Sequence, residues 1–316
     1  MINLKKTAVI NITSFGREFP EHLQELEERV GPVDKMLLRA DMDGKTLAQQ
    51  LKGYTYVLLG NYPTFDEEFF SRNTDVKLIA RHGIGFNNVD LESSRKYGVY
   101  VTHIQNYVEL DAVAEQAAAL LMAVSKNLVT ANQQGDWNKD RQEIMGFQLR
   151  GKTCGVIGCG HIGTRFATIM KYGFQNRILA YDPYADRESV MAEGIQLCDL
   201  DTLLRESDFI SLHANLSEDS KHLINAQALA KMKDNAILIN TGRGGLVDET
   251  ALLCALQSAQ EPMTADNPLL TCERVTITPH SAIYNYTCMK NMNRKVMEDI
   301  YCMQRGERPV EIINGL

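Results

Sequence analysis

Runs of consecutive apolar residues recur along this chain, and each is followed by a stretch whose apolar residues fall at helical spacing. In the first hundred residues the runs are "TAVINI", "KMLLRA", "YTYVLLGN", "VKLIARHG" and "VYVTHI". Between them lie "PEHLQELEERVG", "GKTLAQQLKG", "FDEEFFSRN" and "DLESSRKYG". A strand that is apolar on successive residues buries both faces, so it belongs inside a parallel sheet covered by crossover helices. A second alternating series starts at Gly151, with strands predicted at "TCGVIG", "RILAYD", "IQLC", "DFISLH", "AILINT" and "RVTITPH". The predicted fold class is α/β, two doubly wound parallel-sheet domains, with ligand-binding loops past the carboxyl ends of the strands.

The bulk properties narrow the partners. A length of 316 residues suits two domains. The net charge of -7 argues against nucleic acid or an anionic membrane as the main partner. The opening "MINLKKTAVINI" has no secretory pattern and reads as the first strand. Seven cysteines without a CxxC pair read as reduced thiols of a cytoplasmic protein, and zinc-ligand spacing is absent. The segment "ELDAVAEQAAALLMAVSKNL" is apolar nearly all round; it predicts a helix buried on most sides, with Asp111 as N-cap, bridging the domains or lining a homodimer interface. The C-terminal "YNYTCMKNMNRKVMEDIYCMQRG" has helical spacing and is expected to return to the first domain.

The second series opens with a phosphate-binding pattern. Gly158-x-Gly160-x-x-Gly163 follows a predicted strand and starts a helix, and Asp182 ends the next strand. Gly158 would permit the tight turn, Gly160 the approach of a pyrophosphate, and Gly163 close helix–strand packing. The amides of His161 and Ile162 would face the phosphates. Asp182 would accept from the adenosine ribose and repel a 2′-phosphate, so NAD is expected rather than NADP. The ring of His161 is expected to face solvent.

Four stretches together resemble the D-isomer-specific 2-hydroxyacid dehydrogenase family over essentially the whole chain: "RHGIGFNNVD" (81–90), "GVIGCGHIG" (155–163) with "YDPY", "INTGRGGLVDETAL" (239–252) and "ITPHSAIY" (277–284). The resemblance implies a Rossmann NAD-binding domain at 104–283 and a flavodoxin-like substrate domain built from 1–103 and 284–316, with the active site in the cleft between them. It implies reversible hydride transfer between NADH and a 2-oxo acid. His280 would be the general acid/base, Glu261 its carboxylate partner, and Arg243 the cation on the carbonyl and carboxylate. The amides of Ile84 and Gly85 would hold the substrate carboxylate, and Thr241 would border the cofactor. His103 and His213 read as structural histidines, although strand-end positions such as theirs could also border the cleft. Tyr62, Tyr107, Ile283 and Tyr284 fall near the expected substrate loops, equally as packing residues.

The chain departs from the family pattern in two places. Asn87 stands where an aspartate is usual, which reads as a matter of loop geometry. More seriously, Gln260 meets Glu261 directly, so the small-residue turn and the "GAALDV"-like strand before the family's "EP" are missing. No residue can then be assigned to the nicotinamide carboxamide. Loss of an interior strand would strand ladder groups without partners, which favours residues between Gln260 and Glu261 in the molecule over a true deletion. Two other readings share the scaffold: an NADH-sensing binding protein or corepressor, and an enzyme acting on glyoxylate, formate or a phosphorylated acid.

Overall fold

A computed structural model describes residues 5–134, 145–256, 276, 278 and 281–316. By its contacts the chain divides into two units, Met1–Glu109 with Ile283–Leu316, and Leu110–Ala282.

The first unit is a five-stranded parallel sheet of β1 (Lys6–Ile10), β2 (Val33–Met36), β3 (Tyr54–Leu59), β4 (Leu78–Arg81) and β5 (Tyr100–Thr102), in the order β2-β1-β3-β4-β5. That is the flavodoxin-like order. The crossovers are α1 (Pro20–Val30), α2 (Gly44–Gln50), α3 (Glu67–Arg72) and α4 (Leu91–Lys96). Asp43, Asp66 and Asp90 each accept a backbone N–H from the first turn of the helix they precede, which is why α2, α3 and α4 begin where they do.

The second unit begins within α5 (Asn106–Ser125), continues through α6 (Leu128–Gln134), and builds a parallel sheet of β6 (Thr153–Ile157), β7 (Arg177–Tyr181), β8 (Gln196–Leu197), β9 (Phe209–Leu212) and β10 (Ile237–Asn240). The strand order is β10-β9-β6-β7-β8, the Rossmann order read from the far edge. Between the strands lie α7 (His161–Phe174), α8 (Arg187–Ala192), α9 (Leu200–Glu206) and α10 (Ala226–Leu229), and α11 (Glu249–Leu256) follows β10. Alternate strand residues feed separate cores: Cys154, Val156, Ile178, Ala180 and Phe209 pack with α5 and α7, while Ile157, Leu179, Ile210 and Leu212 pack with α9 and Leu246. Two apolar faces explain the uninterrupted apolar runs. Among the described residues β10 is the edge strand; the predicted strand "RVTITPH" and the Gln260–Glu261 join lie outside them, apart from Thr276 and Thr278.

Asp111 is not an N-cap. The helix starts at Asn106, and the Asp111 carboxylate instead accepts from Arg165 Nε at 2.6 Å. Residues Ala112–Ala114, Ala117, Ala118 and Leu121 are buried, as the apolar segment requires. No helix among the described residues is long and apolar enough to cross a membrane.

The last helix, α12 (Tyr286–Gln304), returns to the first unit through polar anchors in an apolar setting. Asp299, buried, accepts from Thr102 Oγ1 at 2.8 Å and pairs with Lys295 at 2.6 Å. Asn293, also buried, bridges two histidines: its Oδ1 lies 2.8 Å from His82 Nε2 and its Nδ2 3.1 Å from His22 Nδ1. The bridge requires His82 to donate at Nε2 and His22 to accept at Nδ1, so His22 is unprotonated at that nitrogen. Burial accordingly lowers both histidines, His82 to about 4.

A base whose folded pKa is depressed favours folding above its unfolded value and loses that contribution as the pH falls toward the folded one. For His82 the window runs from about 6.5 down to about 4. Its share of the loss is about 2 kcal/mol by about pH 5. Urea denaturation across this range should show stability falling with pH, with a shallower slope in His82→Gln, whose amide can still donate to Asn293. An equal slope in the variant would contradict the assignment.

Candidate functional site

In a parallel sheet every strand delivers its following loop to the same edge. In the second unit that edge receives the glycine-rich turn after β6, Asp182 after β7, His213 after β9, and Thr241 to Arg243 after β10.

The three glycines of the turn answer to three different constraints. Gly158 has φ +90°, and a Cβ there would lie 2.6 Å from the Ala214 backbone nitrogen. A Cβ at Gly163 would lie 1.9 Å from the Gly158 carbonyl oxygen, so helix α7 can approach β6 only with glycine at that position. At Gly160 a Cβ would meet nothing within 4 Å. The space above Gly160 is open, and no fold constraint requires glycine there; close approach of a ligand would. Gly160 is the N-cap of α7 and has no side chain to bond the first-turn amides, so the N–H groups of His161, Ile162 and Gly163 are available to an anion. His161 is exposed, as expected.

Asp182 is positioned by two backbone donors. Its Oδ2 accepts from Cys159 N at 2.7 Å and its Oδ1 from Tyr184 N at 2.9 Å. The carboxylate is thereby fixed beside the turn with lone pairs to spare for ribose hydroxyls. A depression of about 300 Å³ lined by Tyr181, Asp182, Arg187 and Cys198 adjoins it. These features fit NAD: an open glycine, uncapped amides and a fixed acid stand in the order the dinucleotide needs. A larger depression of about 710 Å³, bordered by Leu128, Arg150 and Gln175, lies at the opposite edge, by the amino ends of β6 and β7.

His213 underlies the turn. Its Nε2 is 2.9 Å from Ser211 Oγ, its Nδ1 3.4 Å from Thr241 Oγ1, and its ring packs on Phe166 with centroids 5.1 Å apart. Burial lowers its pKa to about 3, so the ring is neutral at physiological pH and is no proton store. It instead ties Thr241 to the base of the nucleotide turn. Arg243 precedes a short 3-10 turn, Gly244–Leu246. Among the described residues its guanidinium bonds through Nη1 to the Gly242 carbonyl at 3.0 Å. The backbone around it is held by Asn240, whose Nδ2 donates to the Arg243 carbonyl and whose Oδ1 accepts from Gly242 N, each at 3.0 Å. Glu261 and His280 lie outside the described residues.

In the first unit the loop after β4 carries Ile84 and Gly85. Asn88 clamps it, donating to the carbonyls of Gly60 and Pro63 at 3.2 Å each, and Asp90 caps α4. Asn87 is exposed, and its side chain has no hydrogen bond among the described residues. The departure at that position therefore leaves the closure of the loop intact. Tyr62, Tyr107 and Tyr284 are exposed at 45%, 66% and 62%, so none of these three rings is a core packing residue of the unit; Ile283 is half-buried. One residue that sequence reasoning set aside stands against this loop: the ring of His103 lies 2.9 Å from the Ile84 carbonyl oxygen. Its only signal in the sequence was its place directly after a strand.

The glycine geometry separates two substitutions that sequence alone would treat alike. Gly160→Ala should fold with an unchanged melting temperature but bind NADH about tenfold more weakly. Gly163→Ala should lose stability first, by about 2 kcal/mol or more. Thermal denaturation beside fluorescence titration with NADH decides the matter; a Gly160→Ala protein that binds NADH normally would remove the close-approach argument.

Comparison with known proteins places these features in a family. Residues 118–282 match the model described as "D-isomer specific 2-hydroxyacid dehydrogenase, NAD binding domain". A glyoxylate reductase of Korarchaeum cryptofilum is 33% identical, with 94% of each chain covered. A D-3-phosphoglycerate dehydrogenase of Archaeoglobus fulgidus is 32% identical over 85% of this chain and 53% of its own length. Among solved structures, the D-lactate dehydrogenase of Escherichia coli superposes with a TM-score of 0.82 at 30% identity, covering 97% of this chain and 99% of that one. With likeness of this extent in sequence and fold, the chain belongs to the D-isomer specific 2-hydroxyacid dehydrogenase family, and its second unit is the NAD-binding domain.

Proposed function

We propose that the protein is an NADH-dependent reductase of small 2-oxo acids, working reversibly on the corresponding D-2-hydroxy acids. One observation carries the reading: the nucleotide turn after β6 and Arg243 after β10 stand on the same edge of one sheet, a dinucleotide site and a cation within a single rigid frame. Bound NADH supplies the hydride. The chain's own residues then have to orient the acid and neutralise charge on the carbonyl oxygen.

In this proposal Arg243 presents its planar fork to the carbonyl and carboxylate oxygens, where negative charge grows. His280 gives its proton to that oxygen, and Glu261 keeps the imidazole charged and oriented. The buried, neutral His213 leaves that role open to His280. The amides of Ile84 and Gly85 hold the substrate carboxylate, in a substrate domain formed by the first unit. The relatives' names favour glyoxylate, a three-carbon 2-oxo acid, or a phosphorylated acid as substrate. The proposal includes a homodimer in the cytoplasm. Apolar side chains left exposed on the second unit, Leu128 at 55% and Met145 at 72%, agree with a protein surface covered by a second copy.

Incubation with NADH and a panel of glyoxylate, pyruvate, hydroxypyruvate and a phosphorylated 2-oxo acid tests the reading. Oxidation of NADH by at least one of them is expected. In His280→Ala turnover should fall about a thousandfold with NADH binding retained, and in Arg243→Gln kcat/KM should fall about a hundredfold. Tight NADH binding without turnover on the whole panel would favour the NADH-sensing alternative.

A further inference from the structure

The loop after β4 runs Gly83-Ile84-Gly85, so the two peptides around Ile84 have glycine on one side of each. Such peptides turn over at little cost, because no Cβ on the glycine side resists the rotation. Something outside the loop must decide which way their N–H groups point. The structure supplies two restraints, both from the carboxyl end of β5. Ile104 N donates to the Gly83 carbonyl at 3.2 Å, and His103 Nδ1 lies 2.9 Å from the Ile84 carbonyl oxygen. A carbonyl only accepts, so His103 carries its proton on Nδ1 in this contact. Phe86 stands edge-on to the ring, centroids 5.9 Å apart at 77°, and limits its rotation.

A trans peptide is planar, with its C=O and N–H directed oppositely. Holding the Gly83 carbonyl toward Ile104 turns the Ile84 amide away from β5. Holding the Ile84 carbonyl toward His103 does the same for Gly85. Among the described residues neither amide has an acceptor. The first restraint is a backbone bond that any residue at position 104 except proline would make. The second depends on one side chain.

We propose that His103 is a positioning residue: by donating to the Ile84 carbonyl it aims the Gly85 amide at the carboxylate of the bound 2-oxo acid. The proposal rests on the assignment of Ile84 and Gly85 to that carboxylate. His103 touches neither substrate nor cofactor in this role. A leucine at the position fills similar space and donates nothing, and the Ile84–Gly85 peptide is then free to present its carbonyl, which repels an anion. An asparagine can place an N–H near the site of Nδ1.

The test compares wild type, His103→Leu and His103→Asn by glyoxylate and pyruvate reduction with NADH, and by calorimetric binding of oxamate, a 2-oxo acid mimic, to the NADH-loaded protein. His103→Leu should raise KM and the oxamate Kd about tenfold, the worth of one hydrogen bond to an anion, with kcat and the NADH Kd changed less than about threefold. His103→Asn should recover most of the loss. A His103→Leu protein with unchanged oxamate binding, or a His103→Asn protein as impaired as His103→Leu, overturns the proposal. If wild type binds oxamate but reduces no acid, the reductase reading fails while the oxamate comparison still decides the role of His103. If wild type with NADH binds no oxamate, the carboxylate assignment falls and the proposal with it.

Discussion

Pairing of every backbone group in a sheet buried on both faces is the constraint from which the rest of this molecule follows. Interior strands of such a sheet can bond only to one another; here they run as parallel ladders, and each parallel neighbour is reached through a crossover that lays a helix on a face of the sheet. Parallelism sends all the loops that follow strands to one edge. The turn after β6, the acid after β7 and the arginine after β10 are neighbours because the ladders leave them no other place, although about eighty residues separate the first from the last.

Rigidity at that edge is built from hydrogen bonds beneath it. Asp182 is held by two amides, Asn240 wraps the backbone on both sides of Arg243, and His213 links Ser211 to Thr241. His213 is kept neutral by burial, which suits a ring that fixes geometry and disqualifies it as a proton donor near neutral pH. The same logic governs the first unit, where Asn293 joins His22 to His82 and Asp299 joins Thr102 to Lys295. Polar side chains in these places choose one seating of α12 where an all-apolar helix could slide.

Much of this was legible in the chain. Four strands of the first unit, and β6 to β10 of the second, were predicted from apolar runs, because burial of two faces leaves a signal that needs no partner to recognise; β2, a half-exposed edge strand at Val33–Met36, shares only Lys35 and Met36 with the predicted run "KMLLRA". The glycine pattern was legible for the same reason: a turn, a close approach and a packed helix are local demands. Asp111 misled because an acid before an apolar stretch resembles a cap, while the helix start depends on a turn further upstream. His103 was passed over because its significance lies in a carbonyl nineteen positions away, a contact set by the β4–β5 pairing. The region of Glu261 and His280 lies outside the described residues, so the reading of those two rests on the sequence.

What the sequence determined by itself was the class of fold, the dinucleotide turn and the family, since each is written in periodicity or in contiguous motifs. What only the tertiary structure decided was direction: which way the Ile84 and Gly85 amides face, that Gly160 opens on empty space while Gly163 does not, and that His213 is neutral. These are matters of what lies beside a group in space. A chain states its own order of residues, but the neighbour that fixes a peptide plane or desolvates a ring is brought there by strand pairing and helix packing.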